Sequence, residues 1–576
     1  MRVRVERIVL VVAAAFLAAS VAAQEVEKES PEPVGGLAFV EEIQVTVVNV
    51  DVYVRDRRGL PVTGLTADDF TITQDGVEMP VSNFAELNAE VIRHLMQDAA
   101  TEVPREVEET VDTESAAPEI KPIRVVLYID NENIQALDRN RVLRRVREFV
   151  VENLDEPVEM MVVSFQRSLK VVQPFTSDSR DVTGVLRGMV DITGGREERE
   201  TARQHLLKDM TDARNQDYGS QANTQEGAKL DMRQRVAAFA AEEAENVRHA
   251  LGGLRQVVAM LSGIDGRKSV IYVSSGLAMA PGIGLMHDYA MTFQDQTIMS
   301  LRGRYDQTRL YRELTSLANA QDVSLYSIDA TGLNPHDGFE AENAYSRDPT
   351  ASSIGSKNYS QSLVYMAEAT GGIAVVNTNY VVGGLELISN DLYNFYSLGY
   401  TVNSSGEDRV HQIDVELRDG NKNYDLRFRR RFVEKSYESQ IQDRVFTSLV
   451  VDIDDNPMGL ELTAAAALPG SGTQWVVPMH LSIDLAKIAL LPLGDELVGR
   501  VVVYIGARDD EGRNTEVQRQ EHEIKLPRDE YLAAGRERFG IDFRLILEEG
   551  RHRVSVGVMD PITRQASYNR IVVSVP

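Results

Sequence analysis

Residues 123–133 read Ile-Arg-Val-Val-Leu-Tyr-Ile-Asp-Asn-Glu-Asn and decide how the middle of this chain folds. The run from Val125 to Ile129 is almost continuously apolar, as a β-strand that is covered on both faces requires. Four polar residues, Asp130 to Asn133, follow at its carboxyl end, just before a predicted helix. Because open parallel α/β sheets bind ligands at that edge, this polar loop is the first candidate for a functional site.

Strand and helix patterns alternate from this segment onward. The spacing of apolar residues predicts a helix at about 136–153 and strands at 160–165, 169–175, 269–275, 323–329 and 373–377. Residues 196–235 are charged and helix-prone, and they predict a helical insert with an exposed tip at 215–227. The alternation predicts an α/β domain over residues 121–402, with a doubly wound parallel sheet.

The segments on either side of this domain favour β-structure. A β unit at residues 37–87 has too few strands to be stable alone, and a β-hairpin at 408–434 lacks a sheet. We expect the two to combine into one β-sandwich into which the α/β domain is inserted. Within the first unit, the alternation of valines changes phase at Val47 and Val48, which predicts a β-bulge. Residues 440–576 predict a separate C-terminal all-β sandwich.

Two further segments have a composition unlike that of the domains. Residues 1–23 combine early arginines, an apolar run and a small-residue cleavage site, which predicts a secretory signal peptide. Residues 88–120 are rich in acids and predict an extended linker, with an acidic partner-binding segment as the alternative. No later stretch is long and apolar enough to predict a membrane span. We therefore expect a periplasmic or secreted protein.

The net charge and the lack of cysteine limit the kinds of partner that this chain can bind. The chain of 576 residues has a formal net charge of −27, so its surface repels nucleic acid and anionic lipid. It has no cysteine, so disulfides and a cysteine-linked lipid anchor are excluded despite the expected export. The nine histidines show no pair at zinc-ligand spacing. These features favour a protein partner over nucleic acid or a membrane.

Four sequence motifs, taken in order, resemble a known family. They are Val50–Asp56 with Gly64–Phe70, then Gly266–Gly276, then Val323–Asp329, and last Ala367–Gly372 with Tyr396–Tyr400. Together they resemble bacterial secreted proteins with a von Willebrand factor A-like domain, especially the form common in Acidobacteria. The resemblance covers about residues 43–434 and implies an interaction or adhesion protein built on that domain.

The family's fold usually carries a metal-ion-dependent adhesion site. Its pattern is Asp-x-Ser-x-Ser after the first strand, a threonine from a later loop, and an aspartate after the fourth strand. This chain keeps Asp130 but has Glu132 and Ile134 at the serine positions, Thr193 near the threonine position, and Ser275 in place of the aspartate.

The resemblance therefore implies a degenerate site. Asp130, Glu132, Thr193 and Ser275 are the remaining candidate ligands for Mg²⁺ or another divalent cation. We expect weak or absent metal binding. The alternative is a polar strand end whose acids are solvated or cap the next helix.

We expect an exported, non-enzymatic protein that binds other proteins, with no certain cofactor and no catalytic residues. The alternative is an extracytoplasmic hydrolase or a carbohydrate-binding protein. The segment Tyr272–Gly276 contains Ser274 in a turn similar to a nucleophile elbow, but the first glycine of that motif is missing. Trp475, the only tryptophan, is predicted in the core of the C-terminal sandwich rather than on a sugar-binding face.

Overall fold

The computed structural model describes residues 45–88, 91, 122–154, 157–216, 222–333, 349–403, 406–418, 424–453, 455–527 and 538–576. The predicted signal peptide, most of the predicted acidic linker and residues 217–221 of the predicted insert tip lie outside these ranges. Within them, no helix has both the length and the apolar character needed to cross a membrane.

The described chain begins with four strands. They are β1 (Val45–Arg55), β2 (Phe70–Gln74), β3 (Val77–Met79) and β4 (Asn83–Leu87). Strands β2 and β3 form a hairpin whose two turn residues, Asp75 and Gly76, both have positive φ. An Asp-Gly pair favours this type of tight turn, so the local sequence sets the pairing of these two strands.

A six-stranded sheet with nine helices in the described ranges follows in the chain. Its strands are β5 (Ile123–Asp130), β6 (Val158–Gln166), β7 (Ser168–Thr176), β8 (Lys268–Ser274), β9 (Val323–Asp329) and β10 (Ala374–Val375). Its helices are α1 (Ala136–Asn153), α2 (Ser179–Gly188), α3 (Arg196–Gln216), α4 (Ala222–Met260), α5 (Ile283–Phe293), α6 (Leu301–Tyr305), α7 (Thr308–Ala320), α8 (Pro349–Ala369) and α9 (Val381–Tyr393). The strand order is β10-β9-β8-β5-β6-β7.

The sheet is parallel except at one edge. Strands β6 and β7 are antiparallel and are joined by Arg167 alone, which has a positive φ of 60°. So short a connection permits only antiparallel neighbours, because a parallel pair needs a crossover of a dozen or more residues. The prediction of a parallel sheet is therefore wrong for β7.

Helices cover both faces of this sheet. Val125, Leu127 and Ile129 of β5 pack in one apolar cluster with α1, α2 and α9. Val126 and Tyr128 point the other way and pack in a second cluster with α4, α7 and α8. Two covered faces explain why this strand is apolar at successive positions rather than alternating ones.

Four more strands return to the first β unit. They are β11 (Phe395–Asn403), β12 (Arg409–Leu417), β13 (Asp425–Phe428) and β14 (Arg431–Glu434). They complete two four-stranded sheets, with orders β13-β1-β11-β4 and β14-β12-β2-β3. Valines of β1 share one apolar cluster with Phe70, Tyr396, Ile413 and Phe432, so strands before and after the six-stranded sheet build a common core.

The predicted bulge in β1 is wrong. Strand β1 pairs with β11 in an unbroken register from Val45 to Val52. Val48 and Val50 are buried in the core, whereas Val47 is 45% exposed. The change of phase in the valine pattern arises because Val45 and Val47 have the opposite phase to Val48 and Val50 in a regular strand.

The described residues of the C-terminal region form helix α10 and nine strands. Helix α10 is Tyr437–Ser448, and the strands are β15 (Glu461–Ala464), β16 (Leu468–Pro469), β17 (Gln474–Asp484), β18 (Leu491–Leu493), β19 (Glu496–Asp509), β20 (Gln518–Pro527), β21 (Arg538–Glu548), β22 (Gly550–Met559) and β23 (Ala566–Val575). They form two sheets, one around β17 and one around β19, and both contribute to one apolar cluster. Trp475 packs against this cluster.

Helix α10 joins this region to the six-stranded sheet. The backbone N–H of Gly263 donates to the Thr447 hydroxyl at 2.9 Å, and Arg444 pairs with Asp265 at 2.7 Å. A Cβ atom at Gly263 would lie 2.6 Å from Cα of Arg444, so the close approach requires glycine there. Near this junction, Nζ of the buried Lys268 donates to the Ile264 carbonyl at 2.9 Å.

Lys268 is expected to make stability depend on pH in the alkaline range. Burial lowers its pKa from 10.5 to about 8. Between these values the unfolded chain holds a proton that the folded chain has lost, so the free energy of unfolding rises with pH. From pH 7.5 to 9.5 the wild type should gain about 2 kcal/mol relative to Lys268→Met in urea denaturation. The exposed Lys208→Met is the matched control, and an equal pH dependence in all three proteins would contradict the expectation.

Candidate functional site

Three loops meet at the carboxyl edge of the six-stranded sheet. The N–H of Asn131 donates to the Phe165 carbonyl at 2.8 Å, and the N–H of Gly195 donates to the Asn131 carbonyl at 2.8 Å. The N–H of Ser275 donates to the Asn133 carbonyl at 3.1 Å. The polar loop after β5 is therefore held on both sides, by the loop before α3 and by the loop after β8.

Asp130 is fully buried at the end of β5 and is surrounded by donors of the protein itself. Asn133 donates to it from the backbone at 3.1 Å and from the side-chain amide at 3.0 and 3.1 Å. Ser274 donates its hydroxyl at 3.1 Å, and Tyr272 also donates its hydroxyl. Burial raises the pKa of Asp130, while these hydrogen bonds oppose that rise.

Glu132 and Asn133 are held by an arginine of helix α3. Nη2 of Arg199 donates to the Glu132 carbonyl at 2.6 Å and to Oδ1 of Asn133 at 2.8 Å. Nη1 of the same guanidinium lies 3.4 Å from the Glu132 carboxylate. Asn246 of α4 donates a further hydrogen bond to Oδ1 of Asn133 at 2.7 Å. A cation supplied by the chain thus lies directly beside the polar loop.

Thr193 lies on an exposed part of the loop before α3. Its carbonyl accepts from the Gln166 amide at 3.2 Å. The following residue, Gly194, packs so closely on the loop after β5 that a Cβ atom would lie 2.3 Å from the Ile134 carbonyl oxygen. The Thr-Gly sequence therefore serves a close backbone approach, and it leaves the threonine side chain at the surface.

Ser275 is buried and only 2% exposed. Its carbonyl accepts from Nη1 of Arg196 at 2.9 Å. Its hydroxyl has no hydrogen-bond partner among the described residues. The hydroxyls of Ser269 and Ser327 are buried in the same way, so this feature is not particular to Ser275.

The four sequence-predicted ligands do not all line the same cavity. Glu132 and Thr193 line a cavity of about 930 Å³, which we call the first cavity. Ser275 lines a second cavity, of about 630 Å³. Asp130 lines neither of these two. Within the described ranges, no group of three or more histidine, aspartate or glutamate residues is arranged to hold a metal ion.

Several residues that build this edge were missed at the sequence level. Arg139 of α1 is fully buried and donates to Oδ1 of Asn131 at 2.9 Å and to the Ile192 carbonyl at 2.6 Å. Its sequence signal was its place three residues before Val142, on the apolar face of the helix. The signal for α3 was the spacing of Arg196, Arg199 and Arg203, which puts three guanidinium groups on one side of a helix.

Neither the family models nor the curated protein sequences gave a match to this chain. An aerotolerance-related membrane protein from Bacteroides fragilis, in a form with multiple mutations to serines, has a TM-score of 0.24 and 11% identity over 47% of this chain and 98% of its own. The vWF domain of the type V pili tip protein Mfa5 from Porphyromonas gingivalis has a TM-score of 0.24 and 12% identity over 47% and 95%. BatB from Bacteroides thetaiotaomicron has a TM-score of 0.20 and 12% identity over 47% and 97%. TM-scores at this level do not establish a shared fold.

Proposed function

We propose that this chain is an exported, non-enzymatic protein that binds other proteins, as an adhesion or scaffold component. In this proposal the central domain is von Willebrand factor A-like with a doubly wound sheet, and the C-terminal sandwich extends it. The adhesion site is degenerate. The observation that carries the proposal is the set of protein donors around Asp130, at the edge of the sheet where ligands bind.

The residues at this edge do not fit a divalent cation. Hard cations take several oxygen ligands that must be free to coordinate them. The Asp130 oxygens already accept hydrogen bonds from Asn133, Tyr272 and Ser274. Glu132 is paired with Arg199, whose charge would repel an ion. Partner binding by this protein is therefore proposed to be independent of metal.

Hydrolysis by Ser274 is disfavoured by the same contacts. Its hydroxyl donates to Asp130, and it accepts from the Gly276 N–H at 3.2 Å. No histidine hydrogen-bonds to Ser274 within the described part of the chain. Ser274 is also fully buried, so a substrate carbonyl could not reach it. A serine nucleophile needs a nearby base and access to substrate.

The first cavity is the surface that we propose for a protein partner. It is a groove between the six-stranded sheet domain and the turn after β19, and residues of both charge signs line it: Glu132, Glu242, Arg248, Glu511 and Arg513. A lining with both charge signs favours a protein partner with a complementary pattern, because complementary charges fix the register and exclude wrong partners.

Affinity purification from the native envelope tests this proposal. We expect the same proteins to co-purify with and without a chelator, and Arg248→Glu to lose them. Arg248 is exposed on α4 and pairs with Glu245 on the same helix, so the fold should tolerate this change. Arg312→Glu, an exposed arginine on α7 away from the groove, is the matched control. Loss on chelation would contradict the proposed independence of metal, and equal recovery by both variants would contradict the proposed surface.

Titration calorimetry with Mg²⁺, Ca²⁺ and Mn²⁺ is expected to show no site tighter than about 1 mM, or about 4 kcal/mol. The physical reason is that protein donors occupy the Asp130 carboxylate and Arg199 lies beside Glu132. A micromolar site, about 8 kcal/mol, that Asp130→Asn and Glu132→Gln both weaken would show a working variant of the adhesion site instead.

A further inference from the structure

Strand β21 forms an edge of the sheet around β17. All of its residues, Arg538 to Glu548, pair with β17 in one unbroken antiparallel register. Among the described residues, no backbone-to-backbone hydrogen bond joins β21 to any other strand. We infer that this edge pairs with the same strand of a second copy of the chain, antiparallel and about a two-fold axis at Phe543.

The first argument is that β21 lacks several features that protect the edge strands of proteins. Such strands are often very short, contain proline, or turn a charged side chain toward the core. Strand β21 has 11 residues and no proline. The side chains that it packs against the core are all apolar: Phe539, Ile541, Phe543, Leu545 and Leu547. Its unpaired backbone groups are therefore a template for a further strand.

The other edges of the two C-terminal sheets are protected. Strands β15, β16 and β18 have only four, two and three residues. Strand β23 is covered by the segment before β15, because the Tyr568 N–H donates to the Asp455 carbonyl at 2.8 Å. Strand β20 ends at Pro527 and places the polar residues Gln520 and His522 opposite buried residues of β19. Among the described strands of these sheets, β21 therefore has the most suitable edge for pairing.

The second argument is the order of the charges along the exposed face of β21. This face carries Arg538, Asp542, Arg544 and Glu548. In an antiparallel pair centred on Phe543, positions at equal distances before and after the centre face each other. Arg538 then faces Glu548 of the partner subunit, and Asp542 faces Arg544 of the partner subunit. Every charge on this face meets the opposite sign, which stabilises a strand pair.

The same charges disfavour the neighbouring registers. A pair centred on Ile541 would place Arg538 opposite Arg544 of the partner subunit. A pair centred on Leu545 would place Asp542 opposite Glu548 of the partner subunit. Like charges that face each other directly destabilise a strand pair. The charge pattern therefore selects the register that is centred on Phe543.

Three of these four side chains also have a charged neighbour or a histidine in their own chain. Arg538 lies 3.5 Å from Glu461, Asp542 lies 2.8 Å from His480, and Glu548 lies 3.2 Å from Arg513. All of these groups are more than a third exposed, and exposed pairs of this kind contribute little to stability. The charges of β21 are therefore available to a second copy.

The third argument is the incomplete burial of the apolar face of β21. Phe539, Phe543 and Leu545 pack against the core of the two sheets, yet they are only half-buried. A second strand along this edge would cover them with apolar side chains of its own, because the register places residues of the same face opposite each other. Removing this apolar surface from water favours association.

Sedimentation equilibrium of the full chain tests the inference. We expect a dimer with a Kd of about 1–100 µM, and no larger species, because a two-fold contact closes on itself. Arg544→Asp and Asp542→Arg each place like charges opposite one another twice in the dimer. Each should raise the Kd at least about tenfold. The double variant Asp542→Arg/Arg544→Asp restores opposite signs and should return the Kd to within about threefold of the wild type.

The matched control for net charge is Arg187→Asp, at an exposed residue of α2. It changes the charge of the chain as much as Arg544→Asp does, and it should leave the Kd within about threefold of the wild type. Asp542 and Arg544 are both exposed, so the fold should tolerate all of these changes.

Single cysteines test the register independently, because the chain has none of its own. Phe543→Cys lies on the two-fold axis and faces its own copy, so mild oxidation with diamide should link two chains through a disulfide. Ile546→Cys faces Gly540 of the partner subunit. Its two copies would be about 20 Å apart along the strands, too far for a disulfide, so it should remain unlinked.

Four results would overturn the inference. They are a monomeric wild type at 100 µM, on the order of the weakest expected Kd, a Kd that the charge reversals leave unchanged, a double variant as weak as the single ones, and linkage of Ile546→Cys as fast as that of Phe543→Cys. If Phe543→Cys does not fold, the charge variants decide alone, because they change only exposed side chains. The samples contain this protein alone, so the outcome is separate from that of the affinity purification.

Discussion

Replacing Asp391 by alanine is expected to lower the free energy of unfolding by about 3–5 kcal/mol. Asp391 lies in α9, and its side chain is only 2% exposed. It accepts from Nη2 of Arg55 at 2.5 Å and from Nη2 of Arg427, at 2.8 Å to each carboxylate oxygen. Without the carboxylate, two guanidinium groups are left in or near the interior with no balancing charge. This lowers the stability far more than the loss of an exposed ion pair does. The measurement is urea denaturation followed by circular dichroism.

The position of this triad adds a second expected effect. Arg55 ends β1 and Arg427 lies in β13, so Asp391 ties the six-stranded sheet domain to the sheet β13-β1-β11-β4. Asp391→Ala is expected to separate the unfolding of the two parts into two transitions. Asp209→Ala, which breaks a pair that is 41% exposed on each side, is the control and should cost less than about 1 kcal/mol. Equal midpoints for the two variants would show that the buried triad is not a stabilising link.

Arg139→Met is expected to cost about 2–4 kcal/mol of unfolding free energy. The substitution keeps an unbranched apolar side chain, but it removes every donor of a fully buried guanidinium. Oδ1 of Asn131 then loses a hydrogen bond in the interior, and the part-buried carbonyls of Val190 and Ile192 each lose one as well. Hydrogen exchange should also rise in residues 190–195, since Arg139 holds that loop to the loop after β5.

Arg145→Met on the same helix is the matched control for Arg139. Arg145 is 50% exposed and pairs with Glu148, so its loss should change stability by less than about 1 kcal/mol. Arg139→Lys should lie between the two, because one ammonium group cannot reach the acceptors that a guanidinium fork spans. A cost for Arg139→Met as small as that for Arg145→Met would mean that the loop is held by its backbone contacts alone.

Strand β5 could be predicted from the sequence because its run of apolar residues has one physical explanation. Five consecutive apolar residues from Val125 to Ile129 require cover on two faces, and the structure provides it. The burial of Arg139 could not be read in the same way. An arginine on an apolar helix face usually extends its charge to water, and only the tertiary structure places Asn131 and the Ile192 carbonyl around it.

The candidate site was harder to predict than the fold for a related reason. The motif of the resembling family directed attention to the positions of Glu132, Thr193 and Ser275. The groups that touch Asp130 are instead Asn133, Tyr272 and Ser274, and two of these belong to a strand more than 140 positions away. Hydrogen bonds between residues so far apart in sequence depend on the register in which β5 pairs with β8. The local sequence of either strand does not determine that register.

The pairing of early strands with late ones also determines how the molecule would carry tension. Strand β1 is antiparallel to β11 over Val45 to Val52, and β2 is antiparallel to β12 over Phe70 to Gln74. A pull on the chain at Val45 and Glu434 is therefore borne first by hydrogen bonds between strands that lie side by side. The six-stranded sheet, with the cavities at its edge, is formed by the part of the chain between β4 and β11. Because Val45 lies opposite Asn403, such a pull opens β1 and β11 one hydrogen bond after another from their shared end, and the six-stranded sheet bears load only after these strands have separated.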